Sequence, residues 1–536
     1  MRLRLTPLAA GLLAGLSLLP PSLNAAPANG AGAQRSIALE HLGRYSTGLY
    51  DEGGAEIPAY DAKTQRVFVV NLHDRTVDVL DLGNPATPTK IGAIDVSVLG
   101  KAANSVSVRS GVLAVAIEAN TKTDPGLVAF YDTASLALIS TIDVGALPDM
   151  LTFSPNGRLV LVANEGEPNS DYSVDPQGSV SIINVTNIKR PSVRHASFTN
   201  FNGAAARTQL LADGVRIFGP GASVAQDLEP EYVAISHDSR TAYVTLQENN
   251  AMAVVDLTTG VVSTIRAFGA KDHSLPGNGL DASDKDNAVN IAAWPLSGLY
   301  MPDAVHLYRS NGHSYLVTAN EGDAREYTPL IEEARIKTLS LDPTAFPNAA
   351  ALKADAALGR LNVSKVSGDT DGDGDYDRLF AFGARSFSIW SESGDLVYDS
   401  GDEIEQHVAA QLPSVFNASS TNNSKDDRSD NKGPEPEGLA IGKIDGKTYL
   451  FLGLERIGGV MVYDISNPVA PRFVQYINPR DFTVDPKNQL AQAGDLAPEG
   501  LVFVDAESSP SGEPLLIVAN EVSGTTSVYR IVPTSE

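Results

Sequence analysis

Pro148-Asp149-Met150-Leu151-Thr152-Phe153-Ser154-Pro155-Asn156-Gly157-Arg158-Leu159-Val160-Leu161-Val162-Ala163-Asn164-Glu165-Gly166 decides how this chain is read. A short strand opens on a proline followed by an acid and turns at Pro-Asn-Gly. It returns through a Val/Leu run that closes on Asn-Glu-Gly, the pattern of two antiparallel strands joined by a tight turn. The same grammar recurs at Pro230-Glu231 with Gln247-Glu248, Pro302-Asp303 with Asn320-Glu321, Pro436-Glu437 with Leu454-Glu455, and Pro498-Glu499 with Asn520-Glu521. Two weaker copies precede these, Glu56 with Asn71 and Asn104 with Glu118, and a third strand that often closes on an aspartate follows. Self-similarity at this scale is the signature of a repeat architecture.

A β-propeller accounts for the pattern. In each blade the innermost strand leaves one face and the second returns to it, so the two marked positions share the mouth of the central channel. Seven copies predict seven blades, with six or eight as alternatives because the units are unevenly spaced. The expected organisation is a signal segment over 1–28, a disordered leader over 29–35, and one propeller over 36–532. Insertions are expected at 187–228, 266–297, 328–377 and 399–433, with a helical patch from Glu332 to Leu361 and an ion-ordered or mobile stretch from Ser420 to Asn431.

Composition narrows the partners. The chain of 536 residues carries 65 acidic and 40 basic residues, for a formal charge of −25, and has no cysteine. A field of that sign opposes nucleic acid and anionic lipid and favours cations. Without cysteine there are no disulfides, thiolate metal sites or cysteine nucleophiles. Arg2, Arg4, the apolar run Leu8 to Leu19 and the small residues from Asn24 to Ala28 form a secretory signal pattern, predicting a periplasmic or extracellular monomer. No later apolar run is long enough to span a bilayer, so no transmembrane anchor is expected in the mature chain.

Ten carboxylates, Asp149, Glu165, Glu231, Glu248, Asp303, Glu321, Glu437, Glu455, Glu499 and Glu521, are thus predicted to face one mouth. They must be protonated, paired or metal-bound to coexist. A hard cation, calcium or another divalent ion, takes six to eight oxygens and resolves the repulsion. The expected ligands are Glu165, Glu231, Glu321, Glu437, Glu499 and Glu521, with neutral oxygens from Asn164, Asn320 and Asn520; the alternative is that each Glu locks its blade through backbone amides or arginine. Arg325, Arg385 and Arg456 are candidate phosphate clamps. Separately, Asp369, Asp371, Asp373, Asp375 and Asp377 alternate through a glycine-rich turn, the first half of an EF-hand-like calcium loop. Phe380 stands where the closing bidentate Glu would be, so a final ligand must come from elsewhere. Asp281, Asp284 and Asp286 form a weaker cluster. No Walker loop, Gly-x-Ser-x-Gly elbow or paired zinc histidines occur; among the eight histidines only His306, which follows Asp303 on an inner strand, merits notice.

On these residues the chain resembles the bacterial choice-of-anchor I family, secreted β-propellers described as alkaline-phosphatase-like or esterase/phytase-like. The matching text is Asn164-Glu165-Gly166-Glu167-Pro168, Glu229-Pro230-Glu231, Ala319-Asn320-Glu321-Gly322-Asp323, Asp369 to Asp377 followed by Gly383 to Trp390, Gly433-Pro434-Glu435-Pro436-Glu437-Gly438, and Ala497-Pro498-Glu499-Gly500. The resemblance implies the propeller more firmly than any activity. Three readings compete: a calcium-dependent phosphoesterase acting on a small phosphate ester, a non-catalytic envelope or surface module that binds a protein or glycan, and a lactonase-like hydrolase.

Overall fold

In the computed structural model, residues 35–535 are described; the expected signal segment and nearly all of the leader lie outside them. The described residues contain seven four-stranded antiparallel sheets. The first runs from its innermost strand Pro58–Asp61 outward through Arg66–Asn71, Thr76–Asp81 and Thr89–Asp95. The next five open on Ala102–Arg109, Pro148–Phe153, Pro230–Ile235, Val305–Ser310 and Pro436–Ile444. The last is composite. Pro498–Val504, Leu515–Asn520 and Thr525–Ser535 come from the end of the chain, and Arg35–Ser46 from its beginning adds the outer strand. Each innermost strand packs on that of the next sheet, and the seventh packs on the first, so the ring closes.

The strands follow from the residues. Runs such as Arg66-Val67-Phe68-Val69-Val70-Asn71 are β-branched and aromatic, and sit between turns rich in Asp, Asn and Gly. They are buried on both faces because each sheet is sandwiched between two others. Phe68, Val70, Val77 and Val79 of the first sheet meet Val106, Leu113, Val115 and Ile117 of the second. Complete burial of one such side chain is worth about 1.5–3 kcal/mol. The aspartate closing the third strand makes a local turn: Asp132 Oδ1 accepts the amides of Ala134 and Ser135, and Asp256 Oδ1 those of Thr258 and Thr259.

Proline opens the innermost strands because these are sheet edges, where a missing N–H costs no ladder bond. Pro148 faces Asn164, and the register then slips so that the next pair is Leu151 with Val162. Identical slips follow Pro230, Pro436 and Pro498. Such a bulge re-aims the side chain it carries, here the acid after each proline.

Two expectations about the insertions are corrected. Ser192–Ser197, inside the 187–228 segment, is the outer strand of the third sheet and pairs with Ser179–Asn184. The stretch from Glu332 to Leu361 is not a helical patch: it holds a short strand, Glu333–Arg335, one 3-10 turn, Ile336–Thr338, and a single helical turn, Ala349–Leu352. The longer helices are Ala204–Ala212 and Glu403–Gln411, each inside another insertion. The fifth sheet is interrupted between Asn320 and Ser386, and the aspartate-rich loop hangs from that interruption.

Candidate metal centre in the channel mouth

The ring encloses a cavity of about 620 Å³ lined by the innermost strands. Glu56, Asp149, Glu231, Asp303, Glu321, Asp323, Glu437 and Glu499 line it, so the acids that follow the strand-opening prolines do converge. Below them the wall becomes apolar, with Val106, Leu151, Leu439, Leu501 and Val502, and includes His306 and Tyr232. Burial pushes the His306 imidazole down to about 4, leaving it neutral.

Before four of the prolines the preceding residue completes the geometry. Leu147, Met301, Glu435 and Ala497 all adopt positive φ, between 41° and 59°, a sparsely populated conformation for residues with a side chain. The turned carbonyls reach across to the neighbouring strand. Leu147 accepts the amide of Glu165 at 3.0 Å, Glu435 that of Glu455 at 2.9 Å, and Ala497 that of Glu521 at 2.8 Å. In these three sheets the strained turn therefore ties down the backbone of both marked acids, whereas the carbonyl of Met301 accepts the amide of Gly322 instead.

Two carboxylate triads result, each with donor atoms within 4.8 Å of one another: Asp149, Glu165 and Glu231, and Glu321, Glu437 and Glu455. They differ in their surroundings. Among the described residues no basic side chain pairs with the first triad. Burial, followed by the charge of Glu167, pushes the Asp149 carboxyl up to about 7; Glu165 and Glu231 are raised well above the usual range by burial and by the neighbouring acids. In the second triad Glu321 Oε1 takes Lys432 Nζ at 2.7 Å and Glu321 Oε2 takes Gln247 Nε2 at 2.8 Å, while Glu455 pairs with Arg456 at 2.5 Å. Glu321, expected as a metal ligand, is thus already satisfied on both oxygens. Glu437, Glu56 and Glu248 each keep one buried carboxylate oxygen without a partner. Glu499 faces the cavity and is raised by burial and by Glu56 and Glu521; Glu521 belongs to neither triad.

The remaining expectations divide. Asn164, Asn320 and Asn520 are buried and spent on protein groups: Asn164 donates to Ser179 and Ser181 and its Oδ1 accepts the Gly145 amide of the preceding sheet, Asn320 donates to Ser386 and Ser388 and its Oδ1 accepts the Thr318 hydroxyl, and Asn520 donates to Thr525. Strand alternation turns the Asn inward to the blade and the following Glu away from it; of Glu165, Glu321 and Glu521 only Glu321 lines the cavity, while Glu165 reaches Asp149 and Glu231. Arg325 and Arg385 are not placed as phosphate clamps. Arg325 is 3% exposed and bonds Asp227 and Glu229, and Arg385 spends its guanidinium on Glu405 and the carbonyls of Asp281, Ser429 and Asn431. Arg456 alone of the three stands at the mouth with its side chain partly exposed, pairing with Glu435 and Glu455.

Residues the sequence reading passed over are Lys432, Glu435 and Glu229. A signal for the last two was present. In both Glu229-Pro230-Glu231 and Glu435-Pro436-Glu437 the first Glu goes to an ion pair and the second to the channel. Burial would raise Glu435, but Lys432, Arg456 and Arg428 more than offset it and hold the carboxyl down at about 2.

On the aspartate loop, Asp369 Oδ1 and Oδ2 accept the amides of Gly372 and Gly374. Asp369, Asp371 and Asp377 come together, as do Asp375 and Asp377 with Asp342, the residue contributed from elsewhere; Asp373 joins neither group. Asp281, Asp284 and Asp286 do not form a group: Asp284 pairs with Arg360 and Lys285, and Asp281 accepts the amides of Ser283 and Asn290. The Ser420–Asn431 stretch is tied down by protein groups, with Arg428 N bonding Asn417 O and Asn417 Nδ2 bonding Glu405 and Ser429.

Fold and mouth together define a closed β-propeller with a carboxylate-lined channel. The chain belongs to the choice-of-anchor I domain family, whose model matches residues 56–468. It is 33% identical to gigasin-3a of Magallana gigas over 187 residues, which is 33% of this chain and 66% of that protein. It is 29% identical to a mesenchyme-specific cell surface glycoprotein of Strongylocentrotus purpuratus over 328 residues, 53% of this chain and 42% of that protein. The chain therefore spans less than two thirds of either relative's length. Among solved structures it is similar to the hydrazine synthase of Kuenenia stuttgartiensis, with a TM-score of 0.47 and 14% identity, covering 91% of this chain and 97% of that one. No helix of the described residues is long and apolar enough to cross a membrane.

Proposed function

We propose that this protein is an exported or cell-surface β-propeller that binds a divalent cation, calcium by the hardness of its oxygen donors, at the Asp149–Glu165–Glu231 corner of the channel mouth. One observation carries the reading: three half-buried carboxylates crowd within 4.8 Å with no basic partner among the described residues. Like charges at that distance repel by on the order of 3 kcal/mol per pair in a partly screened site, and a cation removes the repulsion. Glu499 and the unpartnered oxygen of Glu56 extend the same oxygen wall. The export expectation draws support from the family description and from a relative described as a cell surface glycoprotein. The aspartate loop with Asp342 is proposed as a separate, structural calcium site.

A cation so placed would supply a Lewis acid for a phosphate ester, with Arg456 as the remaining clamp. The locked guanidiniums of Arg325 and Arg385 favour the second reading, a module that binds calcium without turnover. The test is cation content and calcium titration of the purified chain and of Glu231→Gln, together with phosphomonoester and phosphodiester hydrolysis before and after chelation. Loss of one cation in Glu231→Gln is expected, and an unchanged cation count overturns the assignment. Chelator-sensitive hydrolysis selects the phosphoesterase; calcium without hydrolysis selects the binding module.

A further inference from the structure

We propose that Lys432 is a tethered counter-cation that fills the second carboxylate triad, so that the channel mouth takes its divalent ion at Asp149–Glu165–Glu231 and not at Glu321–Glu437–Glu455. The proposal rests on the cation-binding reading above and adds what decides where the ion goes.

Lys432 is 8% exposed. Its ammonium donates to Glu321 Oε1 at 2.7 Å and to the carbonyl of Gly322, and forms an ion pair with Glu435 Oε2 at 2.9 Å. A lysine this buried is retained only where its charge is matched, and here it occupies the position a metal would take against Glu321. Arg456 does the same for Glu455. What remains of the triad is Glu437, with one buried oxygen still unpartnered. At the first triad the balance is reversed. No ammonium or guanidinium pairs with it among the described residues, and the nearby mouth acid Glu248, 9% exposed, keeps its Oε2 unpartnered.

Lys432 is delivered by a built support. Arg385 holds the carbonyls of Ser429 and Asn431 at 2.8 and 2.7 Å, and Arg428 pairs with Glu435 at 2.5 Å. The insertion that carries Lys432 is thereby pinned on both sides of it. This gives the locked Arg385 a purpose that a phosphate clamp would not: it positions the loop whose lysine neutralises half of the mouth.

The test is calcium stoichiometry of the full chain by titration calorimetry and elemental analysis. Lys432→Met keeps the aliphatic stem and removes the charge. It is expected to bind one more calcium than the parent, and the added ion is expected to vanish in Lys432→Met/Glu437→Gln but to persist in Lys432→Met/Glu231→Gln. A folded Lys432→Met with the parent stoichiometry overturns the proposal, as does an added ion that survives Glu437→Gln. A control keeps the parent lysine: Glu437→Gln alone is expected to leave the cation count unchanged, and loss of an ion there overturns the proposal even if Lys432→Met does not fold. Failure of the underlying reading looks different, because it appears as no change of cation content in Glu231→Gln.

Discussion

Arg325 and Glu56 show at the residue scale how the same charged chemistry serves two ends. Arg325 is enclosed by Asp227, Glu229 and the ring of Phe218, with its guanidinium carbon 4.7 Å from the ring centroid. Its loss would strand two buried carboxylates, a deletion that costs about 3–5 kcal/mol. Arg325→Ala is therefore expected to lower the denaturant midpoint sharply, and a variant of parental stability with altered ligand binding would contradict the structural role. Glu56 is the opposite case, unpaired and pushed by burial, then by Glu521 and Asp149, from 4.5 up to about 8; Glu248 is likewise raised by burial from 4.5 to about 7. The folded state holds these protons more tightly than the unfolded chain does. Their contribution to stability is thus fully present below about 4.5 and is lost as pH rises through about 7 to 8. In chelator the melting temperature is expected to fall across that window, and calcium is expected to reduce the fall. A flat profile in chelator would mean these groups are not buried as acids.

The innermost strand is the element that turns a repeat into a site. Its bulge directs the acid after proline into the channel, and in two copies a following glycine, Gly438 or Gly500, allows neighbouring strands to approach. A Cβ on Gly438 would lie 1.8 Å from the carbonyl oxygen of Glu499, and one on Gly500 2.3 Å from Pro58 Cδ. Backbone cannot yield as a side-chain tip can, so Gly438→Ala is expected to destabilise by about 3 kcal/mol, at the upper end for overpacking. It should also weaken calcium binding by moving Glu437 and Glu499, measured by denaturation and calorimetry. Normal stability would show that the strands have room to part. The Pro-acid text was legible in the sequence as a marker; why Gly438 and Gly500 must be glycine was not, because each clash is with a strand of another sheet.

For the whole molecule, closure decides stability. Arg35–Ser46 completes the last sheet by pairing along Thr525–Ser535, joining the two ends of the chain. Without it the last sheet would be one strand short and Thr525–Ser535 would be left as a long unpaired edge, a template for association. Removal of residues 35–46 is expected to abolish the cooperative melt or to yield aggregates on size exclusion, whereas a monomer with parental melting would show that the outer strand is dispensable.

What the sequence determined by itself is local and periodic. Alternating strand and turn chemistry, repeated with a Pro-acid opening and an acid at the close, specifies the sheets and predicts that Asp149, Glu231, Glu437 and Glu499 meet, since each repeat obeys the same geometry. The pairings between repeats were decided only by the tertiary structure. Glu321 and Lys432 are far apart along the chain, as are Arg325 and Asp227, and Arg385 and Ser429, and nothing in their local sequence distinguishes an acid that will receive a cationic side chain from one that will not. Long-range ion pairs depend on where irregular insertions fold back over the ring, and insertions carry no period to read. The equal acids of the repeat therefore become unequal in space, one group neutralised by the protein and one left facing the channel without a basic partner.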